Sequence, residues 1–171
     1  MRFPAREDRG ILVTGGESTG SSFLAQTIAR CFGEQQWNGK NTKQTSGNKI
    51  IHRSIPFMLS PQYYNLHDVV SELSDCNDIY IVICTRDIGF SNKSKQRRFN
   101  RDPADLEKAH QMCKLTVEQI IKSGIKYFIW NYETMIFYDK IYFDMLYNFL
   151  NISEDRVYPE IKNGNLHGDS D

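Results

Sequence analysis

Short runs of β-branched and aliphatic residues alternate along this chain with longer segments whose apolar positions recur every three or four residues. Ile11–Thr14 reads as a strand, and Ser21–Phe32 as a helix with Phe23, Leu24, Ile28 and Cys31 or Phe32 on one face. Lys49–His52 reads as a short strand, Leu66–Leu73 as a short helix, and Asp78–Thr85 (DIYIVICT) as a buried strand rich in β-branched residues. Asp102 as N-cap and Pro103 in the first turn open a long helix running to about Lys122, which Gly124 stops. Ile125–Trp130 reads as a further strand and Asp139–Leu150 as a further helix. Residues 34–48 are polar and rich in Gly and Asn, and residues 89–101 are basic and polar; both read as loops. There is no internal repeat. Strands alternating with helices predict an α/β protein with a mainly parallel central sheet. Such sheets bind ligands beyond the carboxyl ends of their strands. Thr14–Ser22, His52-Arg53 and Thr85–Ser94 all fall at those ends.

The length, 171 residues, predicts one domain over 1–171, with flexible ends at 1–9 and 162–171. Lysine plus arginine (21) equals aspartate plus glutamate (21), which argues against a nucleic-acid partner held by general electrostatics. No run of apolar residues is long enough for a membrane span, and the first residues lack the apolar centre of a signal peptide. Cys31, Cys76, Cys84 and Cys113 are scattered without a C-x-x-C pair, the pattern of free thiols in a reducing, cytoplasmic setting.

Residues 11–22, ILVTGGESTGSS, carry the most specific chemistry. A strand runs into a loop of small residues and at once into a helix. Gly15, Gly16 and Gly20 let the backbone turn tightly, so that free N–H groups and the positive end of the helix dipole point at one place. Thr19, Ser21 and Ser22 add hydroxyl donors. The nucleotide P-loop pattern G-x-x-x-x-G-K-[ST] is matched at Gly15 and Gly20, but Ser21 stands where its lysine belongs. Such a loop is poorly equipped for a triphosphate and suits a ligand with fewer phosphates. A second cluster begins at Arg86, which leaves the Asp78–Thr85 strand at its carboxyl end, with Ser94 eight residues on. A guanidinium and a hydroxyl that converge suit a phosphate monoester.

With these motifs in order, the chain resembles the sulfotransferases that use 3′-phosphoadenosine 5′-phosphosulfate (PAPS). The resemblance covers roughly residues 10–152. Ser18-Thr19-Gly20-Ser21-Ser22 falls on the family's loop for the 5′-phosphosulfate, with Gly16 before it. Arg86 and Ser94 fall on its pair for the 3′-phosphate, and Tyr127–Met135, followed by an amphipathic helix ending at Phe149–Ile152, looks like its strand-Tyr-Glu-helix segment. The basic residue of that loop is replaced here by Ser18, beside Glu17. Lys162–Asp169 resembles only faintly the family's C-terminal Gly-rich loop.

The resemblance implies a P-loop NTPase-like three-layer α/β sandwich that binds PAPS or its product PAP. The sulfonate would pass to a hydroxyl of a carbohydrate or other small-molecule acceptor, with no metal. The molecule could act alone or as a homo-oligomer. His52, just past a predicted strand end and loosely similar to the family's His-x-Pro, is the expected base, with Arg53 or Lys49 supplying charge. Alternation along a strand sets Lys49 and Arg53 on one face and His52 on the other, so all three meet a ligand only if the strand ends by His52. Glu133 reads as a structural or capping carboxylate. Two alternatives remain open: a P-loop nucleoside or nucleotide kinase, and a non-catalytic phosphonucleotide-binding module.

Overall fold

The computed structural model describes residues 9–33, 43–45, 48–55, 58–59, 62–63, 65–100, 102–153 and 155–165. The two most apolar strands lie at its centre. β1 (Arg9–Gly16) and β6 (Asp78–Thr85) pair in parallel from Arg9↔Asp78 to Gly15↔Cys84. Leu12, Val13, Ile81 and Val82 have no exposed surface. Each such side chain contributes about 1.5–3 kcal/mol of burial. β3 (Asn48–Ile55) lies along the other side of β1, and β7 (Lys126–Asn131) along the other side of β6, both in parallel. β2 (Lys43–Thr45) adds a short antiparallel edge to β3, giving the order β2-β3-β1-β6-β7. β4 (Met58–Leu59) and β5 (Gln62–Tyr63) form a separate two-stranded pair.

Helices cover both faces of the sheet. α1 (Ser21–Arg30) and α6 (Lys140–Phe149), with α5 (Tyr132–Tyr138), bury Leu24, Ile28, Phe143 and Leu146 against Ile11, Val13, Val82 and Trp130. On the opposite face α2 (Leu66–Ser71) and α4 (Pro103–Lys122) bury Leu66, Val69 and Ile120 against Leu12, Ile51, Ile81 and Ile83. Strict alternation along β1 sends Ile11 and Val13 to one layer and Leu12 to the other. The expected α/β class with a mainly parallel sheet is observed. No helix among the described residues is long and apolar enough to cross a membrane.

Several sequence expectations are met closely. Asp78–Thr85 is a strand over its whole predicted length. α4 starts at Pro103, its Asp102 side chain accepting from the Asp105 N–H at 2.8 Å, and Gly124 follows its end at φ 75°.

Others are corrected. Residues 89–101 do not form a loop: α3 (Ile88–Phe99) occupies most of them. The Asp87 carboxylate accepts from the Gly89 and Phe90 N–H groups at its start, and Asn100 ends it at φ 50°. Only Ser91 and Lys95 are buried on α3, so no apolar period announces it. β3 runs three residues past His52, because β1 continues to pair with it as far as Gly16↔Ile55. Lys43–Thr45 of the expected 34–48 loop is strand, and residues 34–42 lie outside the described residues. α5 was not expected; seven residues with mixed aromatic and polar positions show no helical stripe. Residues 1–8 and 166–171 of the expected flexible ends also lie outside the described residues, whereas 162–165 pack onto the site described next.

Candidate anion-binding site

After β1 the chain turns through α1 to β3 on one side, and after β6 it turns through α4 to β7 on the other. The two connections leave in opposite directions, so a crevice opens between the carboxyl ends of β1 and β6, the place where open α/β sheets bind ligands. Glu17–Gly20 forms one wall. Thr85, Arg86 and the start of α3 form the other.

The loop depends on its glycines at two points. At Gly15, with φ 154°, a Cβ would lie 2.3 Å from the Cys84 carbonyl oxygen, so β1 and β6 pack there only without a side chain. Gly20, at φ 85°, is the N-cap of α1, and a Cβ on it would meet the Tyr132 ring at 3.3 Å. As a glycine it leaves the first turn of α1 without a side-chain cap. Thr19 donates back to the Gly16 carbonyl at 2.8 Å and is buried. Ser18 holds φ 66°, a left-handed conformation costly for a residue with a Cβ. Its hydroxyl is buried without a hydrogen-bond partner among the described residues. Ser22 is exposed on the first turn of α1, and Ser21 is buried with its Oγ 2.9 Å from His52 Nε2.

Arg86 spans the crevice. Its Nη1 donates to the Ser18 carbonyl at 3.2 Å, its Nε and Nη2 to Asn165 Oδ1 at 3.0 and 2.5 Å, and its guanidinium lies 4.6 Å from the centre of the Tyr132 ring. The Tyr132 hydroxyl accepts from the Gly164 N–H at 3.1 Å and donates to the Lys162 carbonyl at 3.3 Å. Glu133 takes the Asp87 N–H at 3.2 Å, Asn131 Nδ2 at 3.2 Å and Asn165 Nδ2 at 3.1 Å, so it ties three segments together. This is the structural carboxylate expected of it.

The structure brings only part of the predicted set together. Gly16, Ser18, Thr19, Gly20, Ser21 and Ser22 form one turn, and Arg86 is bonded to it. Ser94 lies almost two turns up α3, about 10 Å along the axis from Asp87 at a helical rise of ~1.5 Å per residue. His52 shares the face of Ile50 and turns under the loop to Ser21. Burial above all, and then the Arg53 charge, lower its pKa to about 4, so the imidazole is neutral at physiological pH. Lys49 and Arg53 point to the opposite face. Lys49 pairs with Asp75 at 3.1 Å, beside Gly10 at the far end of the sheet, and Arg53 with Glu72 at 2.5 Å. Because β3 does not end at His52, alternation sets them on the face of Ile51 and Ile55, away from Ser21, and their partners are Asp75 and Glu72.

Two helices supply further groups beside the loop. Ser91 on α3 donates to the Glu17 carbonyl at 3.1 Å and fixes α3 against the loop. Four residues on, Lys95 is buried on the same side. The crevice continues into a cavity of about 430 Å³ between the loop, Thr85-Arg86, α3 and α4, and Lys95, His110 and Cys113 reach it. Burial and the Lys95 charge hold the His110 pKa below the usual imidazole value, while Glu107 partly opposes them. Cys113 sits against Gly16, its Sγ 3.7 Å from where a Gly16 Cβ would stand, and burial pushes its thiol up. Ser91 and Lys95 are spaced as helix neighbours, a signal visible only once residues 88–99 are known to be helical.

Fold and site define an α/β protein with an open, mainly parallel sheet and a strand–loop–helix turn at its switch point. No protein-family model matches the chain, and comparison with the curated proteins and with the solved structures gives no match.

Proposed function

We propose that the protein binds PAPS at the β1–β6 crevice and transfers its sulfonate to a hydroxyl acceptor. The buried Ser18 hydroxyl, which has no partner among the described residues, carries this reading. Buried polar groups are almost always hydrogen-bonded. One held without a partner in a strained loop, next to an uncapped helix N-terminus, is suited to an oxyanion. Arg86 adds the second anion contact from the neighbouring strand, which matches a ligand with two separated anionic groups better than a triphosphate.

PAPS supplies an activated sulfonate: the bond from sulfur to the phosphate oxygen breaks as one to the acceptor oxygen forms. The first-turn N–H groups of α1 and the Ser18 hydroxyl would hold the phosphosulfate end, and Arg86 the 3′-phosphate, displacing Asn165. The acceptor's proton would go to a neutral imidazole. His110 reaches the cavity beside the loop and takes this role in preference to His52, whose ring is turned to Ser21. His52 orients the Ser21 hydroxyl. Calorimetric titration with PAP, PAPS and ATP tests the reading. It expects PAP and PAPS to bind at least tenfold more tightly than ATP, and ³⁵S to move from labelled PAPS to an added alcohol or phenol. Equal or tighter ATP binding overturns it. A second reading, a phosphonucleotide-binding module without turnover, is favoured by the absence of a lysine at Ser18 and Ser21; PAP binding with no transfer to any acceptor supports that one.

A further inference from the structure

Four large apolar side chains stand exposed around the joint between α5 and α6. Phe137 is 80 % exposed, Tyr138 53 %, Ile141 66 % and Met145 53 %. The Phe137 and Tyr138 rings meet edge to face at 5.1 Å, and Ile141 and Met145 are one turn apart on α6. Only Asp139 separates the two helices, at φ 44° and ψ −119°, a conformation costly for a residue with a Cβ. Its side chain makes no cap to α6, so nothing there offsets the strain of the joint.

A whole aromatic side chain covers roughly 150–250 Å², so the two rings and the aliphatic pair together leave on the order of 450 Å² of apolar surface open. That is at the upper end for a monomer. A standard interface buries about 800 Å² per partner, a little over half of it apolar and rich in aromatic residues and Met. The patch therefore supplies most of the apolar area that a stable dimer needs.

β7 is the outermost strand, and Tyr142 of α6 engages its outer edge. The Tyr142 hydroxyl accepts from the Asn131 N–H at 3.1 Å and donates to the Ile129 carbonyl at 2.8 Å. A strand added there would have to displace it, so the partner docks through side chains and not by extending the sheet. The charges at the joint are adjacent and opposite: Asp139 and Lys140, both exposed. Lys140 Nζ lies 4.7 Å from the centre of the Tyr158 ring, a contact that leaves its N–H donors for a carboxylate. A partner surface of one sign would meet a like charge at one of the two. A second copy related by a two-fold axis sets Asp139 of each against Lys140 of the other.

We propose that the α5–α6 corner is a homodimer interface, with Phe137, Tyr138, Ile141 and Met145 as its apolar core and reciprocal Asp139–Lys140 pairs beside it. This surface is independent of the nucleotide reading, because no residue of the β1–β6 crevice takes part.

The test is sedimentation equilibrium of the whole chain. The unmutated protein should approach twice 19.9 kDa at micromolar concentration. Ile141→Arg should raise the dissociation constant at least tenfold, and Leu115→Arg, at an exposed position of α4 on the other side of the sheet, should change it less than threefold. Asp139→Lys and Lys140→Asp should each dimerise at least fivefold more weakly, whereas an equal mixture of the two should regain the parent affinity, since opposite charges then face each other at both pairs. On the unmutated chain, carbodiimide treatment of mixed light and heavy isotope forms should join Asp139 of one copy to Lys140 of the other, which keeps the claim testable if a variant does not fold. A monomer at about 100 µM, a dimer indifferent to Ile141→Arg, a mixture no tighter than its components, or the absence of light–heavy Asp139–Lys140 links overturns the proposal. A monomer would also mean that any partner of this corner is a different protein.

Discussion

Asn165 sets its carboxamide oxygen on the Arg86 guanidinium, 3.0 Å from Nε and 2.5 Å from Nη2, where a phosphate oxygen would be received. The same carboxamide donates to Glu133, so the C-terminal segment is bonded to both charges of the crevice rim. A ligand phosphate at Arg86 must therefore displace it. Asn165→Ala should tighten PAP binding by about 1 kcal/mol, the net value of one hydrogen bond, in a calorimetric titration. A loss of affinity would mean that Asn165 belongs to the bound site.

On the proposed reading, Arg86 would carry the contact that separates a 3′-phosphate from other anions. Arg86→Ala should weaken PAP by about 1.5–3 kcal/mol and adenosine 5′-phosphate hardly at all, because the latter lacks that group. The bond from Arg86 to the Ser18 carbonyl also supports the loop, so the comparison between ligands is the readout. Equal losses for both would make Arg86 a purely structural residue.

Ser18 combines backbone strain with a buried hydroxyl that has no partner among the described residues. Ser18→Gly should raise stability by about 0.5–1 kcal/mol in urea unfolding, since glycine accepts φ 66° freely. The same change should lower sulfate or PAP affinity, having removed the donor. Stability and affinity moving in the same direction would separate the strain from any ligand role.

Gly15 is a packing requirement of the β1–β6 pair. Gly15→Ala should destabilise the protein by about 2–4 kcal/mol, since the new Cβ would collide with backbone that has no room to shift. A change under about 1 kcal/mol in the unfolding free energy would contradict the packing described here.

His52 is neutral in the fold, with a pKa of about 4 against 6.5 for an ordinary imidazole. Between these values the unfolded chain takes up a proton that the folded state refuses. Stability from this source is therefore complete above pH 6.5 and is lost as the pH falls toward 4, by roughly 1–3 kcal/mol. His52→Gln should show a smaller fall in unfolding free energy between pH 7 and pH 4.5 than the parent. Parallel pH curves for the two proteins would place the titration elsewhere.

The hydrophobic pattern and the punctuation residues determined the central strands, the strand–loop–helix turn, α4 with its Asp102 cap and Gly124 stop, and the α/β class. These rest on local rules: alternation, capping and the glycine requirement act within a few residues of chain. Long-range pairing decided the rest. His52 and Arg53 are neighbours in sequence, yet β1 holds β3 extended to Ile55, and alternation then delivers one to Ser21 and the other to Glu72. α3 buries only Ser91 and Lys95, so its own sequence carries no apolar stripe, and its contact with Glu17 exists only once β1 and β6 lie side by side. Asn165 reaches Arg86 across 79 residues for the same reason. Local chemistry specified which segments could form a site, and sheet pairing, which acts between residues far apart in the chain, chose the side chains that share it.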